Sequence, residues 1–334
     1  MKAIIVISWI LLLCVSNSRG QLLPNLGGQR TGISTLTFLK SDISPRSMAL
    51  SGANLALDAD GMAIAHNPAL LSAAPDPRIA ITDLALGAGA HQAFLSASYP
   101  LRASTSALGF NLNYFSTGPM TVRTEFQPMG TGEVFYAVQF ATGIAYAKTL
   151  SDRFSFGVNL KYINERLAQY VNHTVAADLG FLYTTDVKEL KFGIVVQNFG
   201  GNSSINGDYL AIDFNRTNIT LDRYSVPTVF RLGASIKPIE RGVHSLRLAV
   251  QLEHPNDNSE NLRLGVEYDL KQVFYLRSGF KINVAGDGFP SVGFGYRFTM
   301  GRHSATVNYA VNATKYSGIF HGFGLDFNIN TSKR

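Results

Sequence analysis

A hydrolytic centre needs a nucleophilic Ser, Thr or Cys, a His base and a third group that orients the base. The histidines His66, His91, His173, His244, His254, His303 and His321 are spread over N-terminal, strand-like and loop-like stretches, and none lies in a recognisable nucleophile motif. No His or acid pair has the spacing of a metal-ligand set, and Cys14 is the only thiol. Gly293-Phe294-Gly295 and Gly322-Phe323-Gly324 are not phosphate cradles, because each lies inside an alternating run rather than before a helix. The expectation is therefore a protein that is not an enzyme and holds neither cofactor nor metal.

The composition narrows the class that such residues serve. The chain is 46% hydrophobic and 16% charged, with 31 Gly, 14 Tyr and 22 Phe. That richness in aromatics excludes a disordered protein, and a lone Cys excludes a disulfide-stapled scaffold. Beyond the N-terminus there is no charge-free run of about 18 apolar residues, which argues against a helical membrane protein. Residues 1–20 have the layout of a secretory signal peptide, with a basic start at Lys2, an apolar core over 3–15, and small Ser18 and Gly20 before a cut ahead of Gln21. A retained membrane anchor is the other reading of this stretch. A lipoprotein reading of Cys14 fails because Leu13 precedes it. Cleavage removes Lys2 and Arg19 and no acid, taking the net charge from +6 to +4. It also removes Trp9 and Cys14, leaving a thiol-free chain suited to an oxidising envelope. A charge so dilute predicts no nucleic-acid partner.

From Arg78 onward the chain alternates with period two, the signature of strands with two unlike faces. Over 153–162, Phe154, Phe156, Val158, Leu160 and Tyr162 point one way and Ser155, Gly157, Asn159 and Lys161 the other. The same alternation runs through 246–253, 262–269, 292–299 and 322–329. A secreted β-sandwich and a membrane barrel both give such a pattern. The barrel is favoured because the strands are long, about 9 to 13 residues, and because the second face carries Arg, Lys, Glu, Asp and Asn, which a watery lumen tolerates and a dry core does not. Candidate strands lie at 78–86, 90–99, 104–127, 133–149, 153–164, 173–185, 188–198, 226–237, 243–253, 260–269, 273–283, 289–300, 303–313 and 319–329. The predicted fold is thus all-β: a transmembrane antiparallel β-barrel of about fourteen strands over 78–330, in the outer membrane and in contact with its lipid. Tight connections at 149–152, 185–187, 238–242, 269–272 and 301–302 read as periplasmic turns. The polar stretch 199–225 reads as an extracellular loop.

Residues 21–77 lack long alternation and are rich in small side chains, including 44–53 and 62–71. A segment of this length before a barrel wall suits an N-terminal hatch folded into the lumen. A small periplasmic extension is the other placement.

The run Pro45-Arg46 with Ala49-Leu50-Ser51-Gly52-Ala53, then Asp58, Asp60 and Asn67-Pro68-Ala69-Leu70, resembles the opening of the PorV/PorQ family of outer-membrane proteins. So do Asp178-Leu179-Gly180, Val195-Val196-Gln197-Asn198-Phe199-Gly200, Pro227 with Arg231-Leu232-Gly233-Ala234-Ser235, and 260–268 with Leu276-Arg277-Ser278-Gly279-Phe280. The resemblance implies a component of type IX protein secretion, whose partners are secreted proteins with C-terminal signal domains and other secretion subunits. PorV-like shuttling and PorQ-like attachment both fit. The family is similar in fold to FadL-type transporters, fourteen-stranded barrels with a hatch, and this implies the alternative: passage of hydrophobic small molecules across the outer membrane. By the same resemblance, Asn67, Pro68, Ala69 and Leu70 form a hatch motif. Gly118 and Pro119 mark either a third-strand kink opening the wall sideways or an ordinary loop between shorter strands. Tyr209, Leu210, Ile212 and Phe214 form either a partner-binding loop surface or a loop packed on its own rim.

Overall fold

Strands with one apolar and one polar face satisfy lipid and water together only when the sheet curls until its first and last strands pair. The computed structural model, which describes residues 34–101, 104–204, 223–287 and 289–330, closes in this way. The strands in chain order are β1 (Arg78–Ala85), β2 (His91–Leu101), β3 (Ser106–Ser116), β4 (Met120–Thr121), β5 (Val134–Phe135), β6 (Ala137–Ser151), β7 (Phe154–Leu167) and β8 (Tyr170–Thr184). They continue with β9 (Lys191–Gly200), β10 (Val229–Arg241), β11 (His244–Pro255), β12 (Asn261–Leu270), β13 (Phe274–Ile282), β14 (Ser291–Met300), β15 (His303–Thr314) and β16 (Gly318–Asn328). All but β4 and β5, which pair as a small ribbon between β3 and β6, form one closed barrel. Its seam is the antiparallel pairing of β1 with β16, from Arg78 opposite Asn328 to Ala85 opposite His321.

The wall is inside-out relative to a soluble sheet. Leu160, Val175 and Ile144 are 64%, 65% and 68% exposed, whereas Gln92, Gln251, Asn159, Asp178 and Glu267 are buried. The alternating apolar positions therefore face lipid and their polar neighbours face the lumen. The longest connections, between β3 and β6 and between β9 and β10, lie at one end and the turns Gly242-Val243 and Gly301-Arg302 at the other, which sets the extracellular and periplasmic ends. Most strands shift by a few residues from expectation, and the third differs most. The predicted 104–127 ends at Ser116, because Gly118-Pro119 turns the chain into the ribbon. The count stays even because β3 pairs directly with β6.

The described part of the N-terminal segment, 34–77, folds back into the lumen. It comprises a 3-10 turn Thr37–Lys40, a helical turn Pro45–Ala49 capped by Ser44, a second helical turn Ala63–His66, and a 3-10 stretch Pro68–Ala73. Met62, Ile64, Leu70 and Leu71 pack on the small inward side chains Ala80, Ala107, Ala145 and Ala147. Glycines let the wall come closer still. A Cβ on Gly279 would stand 2.2 Å from the Leu50 carbonyl carbon, and one on Gly157 2.4 Å from that of Pro68.

This fit is testable. Gly279→Val, which forces a side chain against the Leu50 backbone, is expected to lower the unfolding free energy in detergent by about 1–3 kcal/mol. Gly201→Ala, where a Cβ meets nothing within 4 Å, serves as the neutral control in the same urea titration.

Candidate functional site

The lumen has three tiers, and the floor is ionic. Arg46 of the plug donates from Nε and Nη2 to Glu267 of β12 at 2.8 and 2.9 Å, and from Nη1 to the Asp58 carbonyl at 2.8 Å. Glu267 also receives Arg277 Nε of β13 at 2.7 Å, with Arg247 of β11 at 3.7 Å. Asp58 in turn holds Lys191 at 2.5 Å and Arg247 at 2.6 Å. A second cluster stands toward the extracellular end. There Arg231 and Arg263 share Glu253 at 2.7 and 2.5 Å, and Asp42 of the plug meets Arg263 and Lys281, each at 3.4 Å. The wall members of both clusters are cross-strand neighbours: Arg231 faces Glu253, and Glu267 faces both Arg247 and Arg277.

These surroundings keep the plug charged. Burial disfavours ionisation of Asp42, but Lys281, Arg263 and Arg231 outweigh it and hold the carboxyl below its usual range. Burial is likewise overcome at Asp58 by Lys191 and Arg247 and at Asp60 by Arg46, so both lie below the ordinary carboxylate value. Burial pulls the Arg46 guanidinium down, and Glu267 and Asp60 raise it well above its usual value. Below the plug a polar vestibule of about 260 Å³ opens between Arg78, Asp269, Tyr275, Arg297 and Asp326.

The middle tier is a small cavity of about 40 Å³ with a mixed lining, in which Asp42, His66, Asp178 and Arg231 stand beside Leu39, Ile43, Phe94 and Ala141. His66 is buried, and its Nε2 has no hydrogen-bond partner. Burial lowers its pKa to about 4, against the opposing pull of Asp60 and Asp42. Beside the cavity the wall ladder is broken. Ala177 of β8 faces Phe199 of β9, the next pair is Leu179 with Val196, and Asn198 takes φ 56°. The Asp178 carboxylate fills the gap, accepting Asn198 N at 2.8 Å, Asn159 Nδ2 at 3.0 Å and Lys161 Nζ at 2.7 Å.

The upper tier is apolar. Leu36 and Phe38 of the plug bury against Ala141, Ile163, Ala176 and Val226, with Leu39 and Phe115 alongside. Leu36 sits at φ 57°, a left-handed conformation that costs a non-glycine residue about 1 kcal/mol or more.

The residues singled out in the sequence fall into different places. Asn67 is fully buried, caps the Pro68–Ala73 turn through Ala69 N at 3.0 Å, and donates to the carbonyls of Leu55 and Phe181 at 3.2 and 3.1 Å. Pro68, Ala69 and Leu70 are buried beside it. Gly118 and Pro119 stand just past β3, where Gly118 packs against Gly89, and the β3 ladder is continuous from Ser106 to Ser116 on both sides. Tyr209, Leu210, Ile212 and Phe214 lie outside the described residues. Sequence reasoning placed Lys161, Glu267 and Arg277 in strands without assigning them a role. The available signal was charge of both signs at inward parity, but pairing the signs requires the register.

Several solved structures share this architecture. The Pseudomonas putida toluene transporter TodX superposes with a TM-score of 0.57 at 13% identity, over 85% of this chain and 97% of that one. The CymD monoaromatic hydrocarbon channel gives 0.56 at 13%, over 86% and 98%. A Pseudomonas aeruginosa FadL homologue gives 0.56 at 12%, over 87% and 98%. No protein-family model and no curated protein sequence matches the chain. The protein has the fold of these barrels, a closed fourteen-stranded antiparallel β-barrel of the kind found in the outer membrane.

The type IX secretion reading is thereby corrected. The structures named above include a toluene transporter and a hydrocarbon channel, and the PorV/PorQ assignment, with its secreted cargo and secretion subunits, has no support. The motifs behind that reading have a packing explanation. Arg46, Asp58 and Asp60 make ion pairs in the floor, Asn67 caps a turn, and Gly279 clears Leu50.

Two outcomes are expected. Glu267→Gln leaves Arg46 and Arg277 buried around a neutral amide and is expected to cost about 3–5 kcal/mol in urea unfolding. His66 has a folded pKa below its unfolded one, so the unfolded chain takes up the proton first. Stability is therefore expected to hold above pH 6.5 and to fall as the pH drops from 6.5 to 4, by on the order of 3 kcal/mol in full. His66→Gln should remove that part of the pH dependence of the unfolding free energy.

Proposed function

We propose that this barrel carries hydrophobic small molecules across the outer membrane. The observation that supports it most is the closed fourteen-stranded barrel with its N-terminal segment folded into the lumen, matched over most of the chain by the toluene transporter and the hydrocarbon channel. The tiers fit that task. An apolar solute arriving from outside meets the cluster around Phe38, the apolar patch nearest the extracellular end. Beneath it lie a small cavity edged by Asp42, Asp178 and Arg231 and an ionic floor, whose buried pairs resist being opened. The solute therefore leaves by local movement of plug or wall and not by a standing aqueous pore. A sideways exit near Gly118 and Pro119, at the extracellular end of β3, would spare the floor.

Uptake tests the proposal. A Gram-negative host lacking its own hydrophobic-solute transporter should accumulate labelled toluene or a long-chain hydrocarbon several-fold faster when it displays this protein. Its uptake of a small sugar should not change. Hydrocarbon uptake equal to that of the host without the protein would overturn the reading.

A further inference from the structure

We propose that the outer wall formed by β3, β6, β7, β8 and β9 binds one lipopolysaccharide molecule, its acyl chains in a groove of the wall and its phosphate at Arg166 and His173. The site lies on the lipid face and stands apart from the transport reading.

The lipid face of a barrel is a band of apolar side chains, and in this sector the band is hollowed. A groove of about 1060 Å³ runs between Phe110, Ile144, Leu160, Tyr162, Val175 and Phe199. Its floor is low because Thr142, opposite Tyr162, and Ala177, opposite Leu160, are small. The inward-pointing Gly143, Ala145 and Ala176 border it too, so the backbone of the wall is bare there. The break in the β8–β9 ladder raises one side. The extra residue in β9 sets Phe199, 63% exposed, opposite Ala177, where an unbroken register would place the polar Asn198.

Toward the extracellular end the same strands turn polar. The outward residues of β7 run Leu160, Tyr162, Asn164, Arg166. Tyr162 and the neighbouring Phe140, with ring centroids 6.3 Å apart, form the aromatic girdle, and Arg166 stands about 13 Å further along the strand, at headgroup height. His173 of β8 pairs opposite Asn164 and is exposed. Arg166 donates from Nε to the Ala168 carbonyl at 3.4 Å and has no carboxylate partner among the described residues. By contrast, His91 and His254 on other parts of this rim meet Asp83 and Glu260 at 3.5 and 2.9 Å.

The ribbon of β4 and β5 overhangs this place. It leaves a slot of about 920 Å³ between its own Glu133 and Phe135 and Tyr114, Val138, Arg166 and Gln169 of the barrel. Phe126 and Met129, 94% and 93% exposed, give the ribbon an apolar tip suited to lipid. A slot of mixed polarity above an apolar groove matches a phosphorylated sugar carrying acyl chains. The extracellular leaflet of an outer membrane is built of such a molecule, lipopolysaccharide, whereas phospholipids fill the periplasmic leaflet. Glu133 is compatible with it, because a carboxylate and a phosphate readily share a divalent cation.

Native mass spectrometry tests the site on the full chain, purified in detergent, stripped of bound lipid and titrated with lipid A or with phosphatidylethanolamine. One lipid A is expected per barrel, bound about tenfold more tightly than phosphatidylethanolamine. Arg166→Gln combined with His173→Gln should abolish that preference. Ala177→Trp, which fills the groove, should weaken lipid A binding about tenfold. Val292→Trp, at an outward position of β14, should change neither. None of these side chains touches the plug, and if one variant fails to assemble, as read by heat-modifiable gel mobility, the other decides. Equal affinity for the two lipids, or a preference that the variants leave intact, would overturn the proposal. So would a dimer that Ala177→Trp dissolves, which would give the groove to a second copy of the chain.

Discussion

A backbone amide in hydrocarbon has no water to turn to, so each must find its partner within the sheet. Every major feature of this protein follows from that constraint. Fourteen strands leave no open edge once β1 meets β16. Alternation then sends Leu, Phe and Val to the lipid and Asn, Gln, Asp, Glu, Lys and Arg to the interior. The closed wall encloses a polar channel, and the N-terminal segment fills it. Charged groups inside a filled channel lose their water, so each must be paired, and Arg46, Glu267, Asp58 and Asp42 are.

Ion pairs and apolar packing both hold the plug along the barrel axis. Toward the periplasm Arg46 and Asp58 pair with wall charges, and Leu70 and Leu71 pack on Ala107 and Ala147. The extracellular end is fixed by Leu36 and Phe38 in an apolar slot and by polar contacts of Lys40 with buried Asp257 and Thr35 with buried Ser203. Between them His66 stays neutral in a cavity of about 40 Å³.

Much of the wall was legible in the sequence, because period-two alternation needs no knowledge of neighbours. The expected strands at 153–164 and 303–313 correspond closely to Phe154–Leu167 and His303–Thr314. The third strand was overextended because apolar residues continue past Gly118-Pro119 into the ribbon. The floor was not legible. Arg46 and Glu267 are 221 positions apart in sequence, and only the register that sets Glu267 between Arg247 and Arg277 shows why they meet. The secretion role implied by the family resemblance draws on motifs that include Asn67 of the N-terminal segment and Gly279 of β13. Their special quality lies in a cap and in a close backbone approach, and any tightly plugged barrel has use for both.

The central claim is that the plug, held by this ionic floor, closes the lumen to water and ions at rest. Single-channel recording of the purified protein in a planar lipid bilayer tests it most directly. The account predicts no steady ion-conducting steps at neutral pH, with conductance appearing only when urea loosens the plug. A stable open pore in untreated protein at neutral pH would contradict it.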